Sequence, residues 1–340
     1  MGEVSIIGLD LAKSVFQAHG AAADGSVVFR RKLSRGQLLR FLDEQPRCVV
    51  AMEACASAHH WGREIEKLGH EVRLIAPAYV KPFVKRQKND AADAEAIAEA
   101  ASRPTMRFVA VKSAEKQAAG LTFKARDLLV RQRTQAICAL RGHLAEYGLI
   151  APQGAANLTR LKVALEEAGP GLPAAVVEIG TELLAHVDAL EERIDGLGAR
   201  LRADARRDET TRRLMTIPGV GPVCAVALAA LAPPTESFSK GRDFAAWIGL
   251  VPRQNSTGGK ARLGRTSKMG QRDLRRLLII GATSVVRWRA RHGAPAGSWL
   301  ARMLATKPKM LVAVALANKM ARVAWALMRG DGVYEAPATA

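Results

Sequence analysis

Residues 4–10 read VSIIGLD, and the reading of that stretch decides the fold. It is a short apolar run rich in β-branched residues and closed by an acid, which predicts a buried strand. Two more strands are expected at Val15 to Ala21 and Ser26 to Leu33, with the turn signal Ala23-Asp24-Gly25 between them. Connections this short require antiparallel pairing. The pattern then alternates: helix Arg35 to Asp43, strand Cys48 to Glu53, helix His59 to Leu68, strand Glu71 to Ile75, and helical segments through Ala101.

Three antiparallel strands followed by β-α-β-α is the order of a ribonuclease-H-like domain. In that architecture the first and fourth strands lie side by side. Asp10 ends the first, and Glu53 ends the apolar run CVVAME of the fourth, so the two acids are expected at one edge of the sheet. Asp90 and Asp93 stand three apart in KNDAADAEAIAEA, on one face of a predicted helix that would cross the same edge. Glu95 and Glu99 share that helix. Asp90 and Asp93 are preferred because they open it, next to the basic segment KPFVKRQKN with Lys85, Arg86 and Lys88. Carboxylates are hard oxygen ligands, and two divalent ions about 3.5–4 Å apart can stabilise the attacking and leaving oxygens of a phosphoryl displacement.

The chain has 340 residues and a net charge of +19, which favours polyanionic partners, nucleic acid first. Its four cysteines, Cys48, Cys55, Cys138 and Cys224, form no CxxC pair and have no histidines at zinc-ligand spacing, so they are expected to be reduced, small and buried. The N-terminus lacks the features of a secretion signal, and the apolar runs, such as MLVAVALA near residue 310, are read as too short to span a bilayer. A cytoplasmic protein without an anchor is expected.

Residues 113–206 change to long helical sequence. Val187, Leu190, Ile194, Leu197 and Leu201 repeat at three-four spacing, the pattern of a coiled-coil seam or of a local bundle. Residues 114–147 and 174–205 are expected to pair as a helical hairpin. A third region, 207–330, contains TIPGVGPVCAVALAALA, in which Gly219 and Gly221 suit a helix-hairpin-helix whose backbone N–H groups approach a phosphate; an ordinary tight helix-helix turn is the other reading. Residues 331–340 are read as a mobile tail.

The second chemical constellation runs from Phe244 to Ala282. A Trp-containing apolar helix leads through a proline into a polar loop, NSTGGKAR, and then into an arginine-rich helix. Lys260, Arg262, Arg265, Lys268, Arg272 and Arg275 are its candidate phosphate contacts. Ser256, on a Gly-rich loop amid these cations, is the candidate nucleophile, with Thr257 and Ser267 as alternative hydroxyls. No histidine stands near in sequence to activate it.

GLDLAK, AMEAC, KNDAADAEAIAE, IPGVGP and GLVPRQNSTGGKARLGRTSKMGQRDLRRLL together resemble, in order and separation, the transposases of the insertion sequence 110 family, closest to its 1111 branch. The resemblance implies an N-terminal RuvC-like domain (1–112), a central helical coiled coil (113–206) and a mainly helical C-terminal transposase domain (207–330). It implies a site-specific recombinase that excises and inserts an insertion sequence through serine attack on DNA, giving a phosphoserine linkage. Asp10, Glu53, Asp90 and Asp93 would be its magnesium tetrad, holding two Mg2+ per site with Mn2+ as the alternate ion, and Ser256 its nucleophile. Tetrad and serine would come from different protomers. The implied partners are donor and target DNA, a noncoding bridge RNA from the element, and further copies of the chain as a dimer of dimers on the bacterial nucleoid. The sequence departs little from the pattern, and Asn255 beside the serine is the one position at which the match is not pressed. The competing readings are a metal-dependent Holliday-junction nuclease that uses water as nucleophile, and a non-catalytic nucleic-acid scaffold.

Overall fold

The computed structural model describes residues 3–85 and 90–336. It is mixed α/β at the N-terminus and helical beyond, in two compact units, residues 1–117 and 118–340. The predicted segment 113–206 falls largely in the second unit, together with the C-terminal helices.

In the first unit, β1 (Ile6–Asp10), β2 (Val15–Ala21) and β3 (Val27–Ser34) form the expected antiparallel meander. Then follow α1 (Leu38–Asp43), β4 (Val49–Glu53), α2 (Ala58–Lys67), β5 (Glu71–Ile75), α3 (Pro77–Val80) and α4 (Asp90–Ala101). β1 pairs with β4 in parallel, and β4 with β5. A short strand that the sequence did not announce, β6 (Phe108–Val109), pairs antiparallel with β5 and closes the order β3-β2-β1-β4-β5-β6. The sheet is covered on both faces. Leu38 and Leu42 of α1 and Trp61 and Ile65 of α2 pack with Ile7, Leu9 and Phe16. The small-residue face of α4, Ala96, Ile97 and Ala100, packs with Ile6, Ala51 and Ile75.

The second unit begins with α5 (Ala114–Ala145), α6 (Leu158–Ala168) and α7 (Ala174–Arg207). α5 and α7 share a core in which Leu140 and Leu144 meet Leu184 and Val187, with Leu161 and Leu165 of α6 completing it. Arg133 of α5 also pairs with Glu191 of α7 at 2.8 Å. Of the predicted seam, Val187, Leu190, Ile194 and Leu201 are buried within their own chain and Leu197 is half-buried. Its apolar positions are therefore taken up internally.

The rest comprises α8 (Glu209–Met215), α9 (Pro222–Leu231), α10 (Gly241–Ile248), the hairpin strands β7 (Pro252–Gln254) and β8 (Leu263–Thr266), α11 (Arg272–His292), α12 (Trp299–Thr306) and α13 (Lys309–Arg329). Phe244, Leu278, Ala282 and Ala317 belong to its core. The MLVAVALA run lies in α13, which as a whole helix is long and apolar enough to cross a membrane by length and composition alone, a test that a buried core helix also passes. Here it packs against α8, α10 and α11, and Val312, Ala317, Met320 and Ala324 are buried in the core.

One smaller expectation also changes. Cys48 and Cys224 are buried, but Cys55 and Cys138 are exposed. In the described part of the stretch read as a tail, Asp331 pairs with Arg213 at 2.8 Å, and the Tyr334 amide donates to the Thr216 hydroxyl at 2.8 Å.

Candidate active site

Asp10 and Glu53 end two neighbouring parallel strands, in a register that sets Leu9 beside Met52. α4 reaches them because of Gly8. A Cβ at that position would overlap the Ala94 carbonyl oxygen and lie 2.7 Å from the Ala98 nitrogen, so only glycine lets the helix backbone rest on β1. This close approach brings the first turn of α4 to the end of β1. Carboxylate oxygens of Asp10, Asp90 and Asp93 lie within 4.8 Å of one another. Glu53 stands outside that trio but close to it: burial first, and the Asp93 charge second, raise its pKa.

Like charges held together oppose ionisation. Burial chiefly, and then Asp93, Asp90 and Glu53, push the Asp10 carboxyl from 3.8 up to about 6. A hard divalent cation fits such a donor set, since it supplies the positive charge that the cluster lacks.

The other acids of α4 are paired with cations. Glu95 accepts from Lys85 at 2.6 Å and from Arg30 of β3 at 3.0 Å, and Glu99 pairs with Arg103. Lys85, expected to contact nucleic acid, is thus already paired. Arg86 and Lys88 lie outside the described residues. Cys55, two residues beyond Glu53, is exposed as a residue, but partial desolvation of its thiol chiefly, then the Glu53 charge and to a lesser degree that of Asp10, raise its pKa.

The serine stretch, expected as a polar loop, is a hairpin of β7 and β8. The Asn255 amide donates to the Arg262 carbonyl at 2.8 Å, and Thr257 and Lys260 exchange backbone hydrogen bonds of 3.3 and 3.0 Å around Gly258 and Gly259. These two glycines have φ of +53° and +75°, the left-handed region that such a tight tip needs. The Ser256 hydroxyl is exposed and accepts from the Arg262 amide at 3.1 Å. Lys260, Arg262, Arg265, Lys268 and Arg272 are exposed, and none forms an ion pair among the described residues.

Four other residues singled out in the sequence are placed as follows. Half-buried Arg275 donates through Nη1 to the carbonyls of Ile248 at 2.8 Å and Met269 at 3.3 Å, so it ties α10 to the start of α11. The Ser267 hydroxyl is buried, away from solvent. Gly219 is half-buried, and its carbonyl lies so close to α11 that a Cβ at Gly281 would overlap it; Gly221 is exposed, with open space around it.

The two halves of the sequence match two transposase family models. Residues 7–149, which carry the carboxylates, match a transposase model of the DEDD type, and residues 211–295, which carry the serine hairpin, match the transposase IS116/IS110/IS902 family. The chain belongs to the IS116/IS110/IS902 family of transposases. It is similar to a probable family 20 transposase of Pseudomonas aeruginosa, 50% identical over 97% of this chain and 98% of that one. It is similar too to the transposase for insertion sequence element IS1328 of Yersinia enterocolitica, 42% identical over 98% of this chain and 99% of the other. The transposase for element IS1111A of Coxiella burnetii is 38% identical over 98% of this chain and 92% of that protein.

This transposase is therefore an enzyme that cleaves and rejoins DNA in the movement of an insertion sequence. The anchoring of its hairpin is not legible in the sequence. A Cβ on Gly249 would overlap the Met269 carbonyl oxygen, and one on Gly270 the Trp247 carbonyl oxygen, so two backbone segments cross in direct contact at the hairpin's base. The WIGL and KMG stretches carried that signal, as glycines at element ends. Each alone looks like an ordinary cap.

Proposed function

We propose that the transposase is a serine recombinase with a magnesium-binding acidic tetrad in a RuvC-like domain. The observation that carries this reading is the gathering of Asp10, Asp90 and Asp93 oxygens within 4.8 Å at the ends of β1 and α4, with Glu53 alongside. Mg2+ held there, or Mn2+, supplies charge compensation for a phosphoryl group in transfer. Ser256 supplies the nucleophile. Its oxygen forms a bond to a DNA phosphorus while the bond to a sugar oxygen breaks; the hydroxyl proton departs and the released sugar oxygen takes one up. The cleaved strand is kept as a phosphoserine ester, and attack by another strand's sugar hydroxyl frees the serine and rejoins DNA. The cations Lys260, Arg262, Arg265 and Arg272, without ion-pair partners among the described residues, support this reading, because a phosphodiester approaching Ser256 meets positive charge from the hairpin tip, from β8 and from α11.

The enzyme works in the cytoplasm on the nucleoid, guided by a noncoding bridge RNA that pairs with donor and target DNA, as a dimer of dimers. The net charge of +19 supports several nucleic-acid strands held at once. Because the α7 seam is occupied internally, protomer contacts fall elsewhere on the helices. The exposed Leu121 and Leu128, one heptad apart on α5, are suited to that.

The deciding test is covalent trapping. Incubation with DNA carrying the element's ends should give a detergent-resistant protein–DNA adduct whose DNA-bearing peptide contains Ser256, and Ser256→Ala should give none. DNA cleavage by the parent without any adduct would instead indicate water as nucleophile, the junction-nuclease reading. Sequencing of co-purified RNA tests the guide separately: a single element-derived species is expected, and random cellular RNA would end that part.

A further inference from the structure

The second unit contains a cavity of about 400 Å³ that the chemistry above does not use. Val285 of α11 and Leu316, Met320 and Val323 of α13 give it apolar walls. Trp299, at the start of α12, adds an aromatic ring, with the Lys319 ammonium 5.4 Å from the ring centroid. Arg289 and Arg302 line it as well. Arg302 donates to the Gly297 carbonyl at 2.8 Å, and the Arg289 guanidinium lies 4.6 Å from the Trp288 ring centroid. No acid lines the cavity, and none of its three cations has a carboxylate partner among the described residues.

We propose that this cavity takes one unstacked nucleobase of a single-stranded nucleic acid held by the transposase. The three kinds of group point to that one occupant. Apolar walls with a Trp ring match the faces of a base, and volumes of a few hundred Å³ are those of small-ligand pockets. Three cations without an acid match the phosphates on either side of it. A free phosphate would leave the walls and the ring unused, and an aliphatic ligand would leave the cations unused. A base within a duplex is stacked on both sides and cannot enter, so the strand must be unpaired there. The cavity also shares α11 with the serine hairpin: Arg272 opens that helix, and Val285 and Arg289 lie near its other end. A strand following α11 would pass from one to the other. This inference rests on nucleic acid as partner and not on the serine or metal assignments, so binding without turnover tests it.

The experiment is anisotropy titration of the full-length protein, in EDTA, with fluorescein-labelled dT15, rU15 and a 15-base-pair duplex. Trp299→Ala should weaken dT15 or rU15 binding about tenfold and leave duplex binding within about twofold, and Trp299→Phe should recover most of the loss. The arm that responds tells whether DNA or RNA supplies the base. Lys319→Gln should weaken the same arm and lower its salt slope by about 0.7. If Trp299→Ala perturbs folding, the decision passes to photo-crosslinking of the parent protein with 5-iodouracil-substituted versions of the single strands, where a crosslink on the Trp299 peptide is expected. Unchanged single-strand binding, an equal loss on duplex, or crosslinks that all fall elsewhere would overturn the proposal. The cavity would then belong to the chain's own end, whose Tyr334 and Ala336 line one side of it.

Discussion

Gly8 of β1 and Ala94 of α4 touch backbone to backbone: a Cβ on Gly8 would overlap the Ala94 carbonyl oxygen. That contact sets how closely α4 lies on the sheet, and with it how near Asp90 and Asp93 come to Asp10. Gly8→Ala is expected to cost about 1–3 kcal/mol by overpacking, because the obstacle is backbone and cannot turn aside. Thermal melting should show the loss. Mg2+ affinity should fall with it, whereas Gly36→Ala, in open space, should change neither.

Asp10 gives a pH prediction. Its folded value of about 6 exceeds the ordinary 3.8, so between these limits the folded protein holds a proton that the unfolded chain has released. Without metal, its contribution to stability is greatest below about pH 4, falls as pH rises, and is lowest above about 6. Asp10→Asn should therefore raise the metal-free Tm at pH 7 by a few degrees relative to the parent, with the difference shrinking toward pH 4. Mg2+ should raise the parent's Tm and leave the variant's unchanged. If the metal-free variant melts lower than the parent at pH 7, burial and like-charge crowding do not make the Asp10 carboxylate a net cost to the fold.

His19 has the opposite sign. It is buried, its Nδ1 has no hydrogen-bond partner among the described residues, and burial lowers its pKa below 6.5 against the pull of Glu95 and with the push of Arg30 and Lys85. Below pH 6.5 the unfolded chain takes a proton that the folded one refuses, so stability falls as pH falls. His19→Gln should reduce the drop in Tm between pH 7 and 5. Differences taken against the parent at each pH cancel the other titrating groups.

The hairpin cations separate by role. Lys260→Ala and Arg262→Ala should each weaken DNA binding and reduce the slope of log K against log salt by about 1, with little effect on Tm. Arg275→Ala should do the reverse, because two backbone carbonyls lose their donor: a loss of about 1–3 kcal/mol in stability and a nearly unchanged slope. Ser256→Ala should leave Tm within about a degree, since only one exposed hydrogen bond is lost.

Local patterning alone places the elements and what they carry. Alternating apolar runs placed β1 to β5, an acid closed each of two strands, and the spacing of Asp90 and Asp93 put both on one helix face. Such patterns are local, because backbone periodicity fixes which residues share a side. Tertiary structure decided which of these groups stand free. Glu95 was indistinguishable from Asp93 in sequence until Arg30, from a strand 65 residues away, and Lys85 neutralised it. Arg275 read like its basic neighbours until α10 offered it carbonyls, and the heptad pattern of α7 could not say that α5 and α6 of the same chain would cover much of it. Nothing local in GLD marks Gly8 as the point where a helix lands. A long-range contact is a choice among partners, and a side chain's sequence neighbourhood records its propensity but not which partner the folded chain brings to it.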